Sequence, residues 1–185
     1  MIGNIVAAIT DGGEAATDFE SIATVTVGAG GSANIEFTSI PSTFQHLQIR
    51  YLGRGTFNGG DVEVHMQINS DTGSNYTRHF IYGDGSTAGA GSATSQTKIV
   101  LNDVPAATST SGIFGTTVMD ILDYTNTNKN KTVRALIGRD KNGSGVLLLS
   151  SFLWSSTSAI TSIKIFPSAN NFAQYSHFAL YGIKG

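Results

Sequence analysis

The residues able to do chemistry are few and scattered. There are four histidines, His46, His65, His79 and His177, and no cysteine. The histidines share no metal-ligand spacing, and without thiols neither a thiolate metal site nor a cysteine nucleophile exists. His46 and His65 fall on the polar faces of neighbouring predicted strands, which could bring them near each other. Residues 69–75 (NSDTGSN) gather oxygen ligands around a glycine. A calcium loop needs several acids at fixed offsets and a late bidentate one. Asp71 stands alone there, so the segment reads as a turn held by Asx-type hydrogen bonds. Gly83-Asp84-Gly85 and the AGAGS that follows lack the Lys-Ser/Thr pair of a phosphate loop. No Gly-x-Ser-x-Gly elbow occurs. Asp120 and Asp123 lie three apart on a predicted strand and point to opposite faces, the wrong geometry for a glycosidase pair. No catalytic residue, metal site or cofactor is expected.

Aromatic side chains remain. Phe57, Phe172 and Tyr175 fall in predicted loops, where ring faces could stack on sugars or on a neighbouring subunit. They are the candidate glycan or subunit contacts.

The elements that must position these groups are strands. Residues 19–50 hold three short alternating runs separated by Gly28-Ala29-Gly30-Gly31 and by Ile40-Pro41-Ser42. Period-two alternation broken by turn residues marks a meander with one buried face. In residues 19–27, Phe19, Ala23, Val25 and Val27 are read on one face. Residues 62–69 alternate most cleanly, with Val62, Val64, Met66 and Ile68 against Glu63, His65, Gln67 and Asn69. Residues 113–124 and 132–139 form a predicted hairpin around the turn TNTNKNK. Residues 146–154 (VLLLSSFLW) are apolar on both faces, which predicts a mid-sheet strand. Residues 83–97 have almost no apolar content and read as a surface excursion. About ten strands result. The predicted fold is all-β, an antiparallel sandwich of jelly-roll type with a short N-terminal arm.

The chain of 185 residues divides into an arm, 1–18, and one sandwich domain, 19–185. The arm carries Ile2, Ile5, Val6 and Ile9, too short a run to cross a membrane. It lacks the basic residues of a signal peptide, and it is read as a docking segment. Charged residues make up only 13% and the net charge is −2, so the field that nucleic-acid binding requires is missing. A surface of hydroxyls and glycine suits flat contacts, because a hydroxyl is far cheaper to desolvate than a charge.

Three phrases carry a family resemblance. They are FESIATVTVGAGGSANIEFTSIPSTFQHLQIR, INSDTGSNYTRHFIYGDGSTAGAG and FAQYSHFALYGIKG. Together, in this order, they resemble virion-associated proteins of tailed bacteriophages, including cyanophages. The resemblance covers nearly all of residues 19–185. It implies a non-enzymatic structural component on the particle, in the capsid surface or the tail fibre, located in the virion, and the arm 1–18, shorter than the shaft of long fibre proteins, is read as its anchor. The implied partners are other virion proteins and further copies of itself, a trimer being the order expected of a phage appendage. A receptor-binding module for host surface polysaccharide is the second expectation. Neither nucleic acid nor membrane is an expected partner.

Overall fold

The computed structural model describes residues 18–185. Twelve strands follow in order: β1 (Phe19–Thr26), β2 (Ile35–Phe37), β3 (His46–Gly53), β4 (Asp61–Ile68), β5 (Tyr76–Gly83), β6 (Ala88–Gln96), β7 (Ile99–Pro105), β8 (Gly115–Ile121), β9 (Lys131–Asp140), β10 (Gly145–Trp154), β11 (Ile163–Pro167) and β12 (His177–Ile183). They form an eight-stranded sheet, β1-β12-β3-β8-β9-β10-β5-β6, and a four-stranded sheet, β2-β11-β4-β7. Every pairing is antiparallel.

The pairing is nested. β1 pairs with β12, β2 with β11, β3 with β8 and β4 with β7. A long hairpin rolled on itself gives this jelly-roll order. Two hairpins, β5-β6 and β9-β10, are inserted into it, and both join the large sheet beyond β8. The large sheet therefore overhangs the small one.

Alternation explains which side chains fill the space between the sheets. Val62, Val64, Met66 and Ile68 on β4 are all buried, as are Leu47, Ile49 and Tyr51 on β3. From β9 and β10 come Val133, Ala135, Ile137, Leu148 and Phe152. Burying such an aliphatic side chain contributes about 1.5–3 kcal/mol each, which drives the two layers together.

The connections carry their own hydrogen bonds. Lys131 is buried, and its ammonium donates to the carbonyls of Asn126, Lys129 and Thr157 at 2.6, 2.8 and 3.0 Å. It plugs the turn TNTNKNK from inside. Tyr124 donates its hydroxyl to the carbonyl of Pro41, tying two connections at the same end of the sandwich.

Three readings of the sequence need correction. Residues 83–97 are not an excursion throughout, because 88–96 form strand β6 at the edge of the large sheet. That strand is stabilised by its neighbour rather than by hydrophobic periodicity. Gly89 and Gly91 leave room for the rings of Tyr82 and Phe80, which a Cβ would approach to 2.6 Å. Phe19 does not share a face with Val25. A bulge between Ser21 and Ala23 inserts one residue, and Phe19 instead stacks on Tyr181 at 4.7 Å. His46 and His65 are not neighbours, since β3 and β4 belong to different sheets.

Candidate functional site

Most of the groups that looked chemical are committed locally, while His79 is exposed on β5. Asp71 accepts from the Trp154 indole at 2.6 Å, from the Asn75 amide at 2.9 Å and from the Gly73 N–H at 2.8 Å. The Trp154 hydrogen bond is the main reason its carboxyl lies below the usual range. The segment 69–75 is thus a turn organised by one carboxylate. His46 Nδ1 accepts from the Asp123 N–H at 3.0 Å. His65 is buried, lies 2.7 Å from Glu63, and is pushed down chiefly by that burial. His177 meets Thr26 at 2.9 Å. Asp120 faces outward between Gln48 and Arg134, whereas Asp123 sits beyond β8 and pairs with Lys129 at 2.7 Å. Among the described residues, no group of three or more His, Asp or Glu could hold a metal.

Arg139 anchors a cluster of opposed charges between the sheets. It reaches from β9 to Asp61 at 3.3 Å and Asp103 at 3.6 Å, and Lys141 joins Asp61 at 2.8 Å. Burial pushes the Asp103 carboxyl up, against the pull of Arg139. These charges compensate one another by proximity, while Asp61 Oδ1 and two nitrogens of the Arg139 guanidinium are buried without a hydrogen-bond partner. Beside them, a shallow cleft of about 720 Å³ is lined in part by Phe114, Asp84 and Asp140. Asp84 already accepts from the N–H groups of Ser86 and Thr87, and Asp140 from that of Asn142.

The candidate aromatic contacts separate. Phe172 is 0% exposed and packs on Phe178 at 4.8 Å, so it offers no face to a sugar. It lies in a loop, as its sequence suggests, but two isolated bridges to Ser32 and Gly55 pull it into the core. Tyr175 is 69% exposed and Phe57 is partly exposed. Their loops adjoin, joined by the Thr56 N–H to the Asn171 carbonyl at 2.8 Å. Ile2, Ile5, Val6 and Ile9 lie outside the described residues.

What the sequence reading missed is the outer face of the large sheet. Strand register sets Arg50, Val118, Leu136, Leu149, Ile81 and Ala90 side by side across six strands. Leu136 is 51% exposed, Leu149 47% and Ile81 58%. Leu147 and Leu52 stand one row further along, also exposed. The row on the other side is polar: Gln48, Asp120, Arg134, Ser151, His79 and Ser92. Its acid and base are paired at 3.0 Å. Single exposed leucines are ordinary, but a contiguous aliphatic row is the mark of a surface that meets another. Covering each half-exposed aliphatic side chain contributes about 1 kcal/mol.

No protein-family model matches this chain, and no curated protein matches it in sequence. The functional reading therefore rests on residues and geometry.

Proposed function

We propose that this protein is a non-enzymatic structural component of a tailed-phage particle, on the capsid surface or in the tail, that works by packing against its neighbours. The observation that carries the packing role is the aliphatic row Val118, Leu136, Leu149 and Ile81 on the outer face. The three phrases resembling virion proteins, the low charge and the rolled sandwich support the setting. The mechanism is physical. Two aliphatic faces come together with few charges to desolvate, and the sandwich behind them stays rigid. The N-terminal arm, with Ile2, Ile5, Val6 and Ile9, anchors the domain to another virion protein.

Gold-labelled antibody on purified particles, read by electron microscopy, tests this reading. Label at a fixed site on the virion is the expected result, and unlabelled particles that lack the protein by mass spectrometry overturn it. Changing Ile2, Ile5, Val6 and Ile9 together to Ser should abolish incorporation without altering the melting of the domain. Normal incorporation would remove the anchoring role.

A second reading has one observation in its favour. Tyr175 and Phe57 are exposed on adjoining loops at one end of the sandwich, as a sugar-stacking site requires. Under this reading the module recognises host polysaccharide. Saturable binding to the host glycan, lost in Tyr175→Ala, is its expected signature, and indifference to a glycan panel sinks it.

A further inference from the structure

We infer that the outer face of the eight-stranded sheet is a two-fold interface, and that its occupant is a second copy of this chain laid face to face with the axis running along β10. This deepens the packing role proposed above and rests on it.

The register supplies the argument. An axis in the interface plane above β10 places β9 over β5 of the second copy, and β8 over its β6. Each cross-strand row then meets the same row. In the aliphatic row, Leu149 meets the second copy's Leu149, Leu136 meets its Ile81, and Val118 meets its Ala90. In the polar row, Ser151 meets Ser151, Arg134 meets His79, and Asp120 meets Ser92. In the third row, Leu147 meets Leu147 and Gly138 meets Gly83. Aliphatic side chains thus lie on aliphatic ones, the larger Val118 falls on the smaller Ala90, and Asp120 meets a hydroxyl instead of another acid. Aligned sheets cross at about 30°, so the match is tightest over the central strands.

Size agrees. Strands about 4.8 Å apart, with same-face residues about 6.8 Å apart, give three rows over five strands about 500 Å² per copy, or about 1,000 Å² in all. That is where specific interfaces begin, and it points to a dimer of modest affinity. The symmetry also chooses between orders. A two-fold contact asks one patch to complement itself, as these rows do, whereas a trimer needs two different patches that match each other. On this face the two-fold takes the place of the three-fold order expected of an appendage.

The rival partner for a second copy is the outer edge of β6. Residues 86–97 hold no charge and no proline, and such an edge can add a strand edge to edge. That mode leaves the aliphatic row uncovered, so the face-to-face mode is the one inferred.

The absence of cysteine makes the test direct. Sheets stacked about 10 Å apart are too far for a disulfide but within reach of a short bis-maleimide. In the full-length chain, Ser151→Cys lies on the axis and should cross-link to a dimer in high yield. Ser92→Cys should not, because the two Ser92 positions are separated by four strand spacings. By sedimentation, the unmodified chain should be a dimer. Leu149→Glu should weaken association about 100-fold or more, since the side chain meets its own copy across the axis, and should melt as wild type does once both are diluted to monomers. A monomer or trimer at high protein concentration overturns the inference. So does a cross-linked dimer from the Ser92→Cys variant with none from Ser151→Cys. A dimer that never reaches particles would leave this interface standing and remove the virion role alone.

Discussion

The indole N–H of Trp154 donates to Asp71 Oδ2 across 2.6 Å, joining the end of β10 in the large sheet to the connection between β4 and β5. Because β4 lies in the small sheet, this one bond links the two layers. The same turn holds Tyr76, whose hydroxyl accepts from the Ile68 N–H at 3.1 Å and whose pKa burial pushes up to about 12. The turn that its sequence marks as held by Asx-type hydrogen bonds is also a structural corner.

Asp71→Asn should destabilise the fold by about 1–2 kcal/mol at neutral pH, the usual cost of weakening hydrogen bonds to a charged acceptor. The folded carboxyl of Asp71 is held below its ordinary value. Its contribution is therefore complete above the unfolded-state pKa and is lost as pH falls through the folded one. The gap between wild type and variant should close in acid. Urea melts at pH 7 and at successively lower pH check this, and a gap constant with pH would contradict it.

Arg139→Met should cost about 2–4 kcal/mol, because Asp103 would lose its ion-pair partner and face Asp61 with only Lys141 left beside them. The pH dependence has the opposite sign to that of Asp71. Burial already raises the Asp103 carboxyl in the folded state, so its ionisation disfavours folding as pH rises from the unfolded to the folded pKa. Without Arg139 that rise is larger. The variant should recover stability, relative to wild type, as the pH is lowered through this window. Thermal melts across the acid range would show it, and a penalty that deepens in acid would refute the account.

Gly182→Ala should destabilise by about 1–3 kcal/mol through overpacking. A Cβ at Gly182, within the closing LYGIK, would run into the ring of Phe44, which is itself buried. Pairing Gly182→Ala with Phe44→Leu should restore part of the loss. Calorimetry of the single and double variants measures the coupling, and simple additivity would mean the contact is unimportant.

Much of the fold is legible in the sequence. Alternation marks the buried faces of β3 and β4, and the turn TNTNKNK announces the β8–β9 hairpin. The two apolar faces of β10 signal a mid-sheet strand, and it does pair with both β9 and β5. Strand β6 escapes notice because alanine, glycine and serine leave no hydrophobic period to detect. It exists because β5 offers a paired edge and rings that glycines must clear.

The sequence by itself determined that the chain is all-β, where most strands lie and which residues alternate, since these depend on local period and turn chemistry. Only the tertiary structure decided which face meets another layer in strands apolar on both sides, such as β10. Leu136, Leu147 and Leu149 are as apolar as the core, yet they stand on the side that the smaller sheet does not cover. Phe172 shows the reverse, a loop residue drawn wholly inside by bridges to Ser32 and Gly55, chain segments far from it in sequence. Periodicity records that two faces differ. It carries no information about what packs on each, because that depends on how strands far apart in sequence wrap around one another.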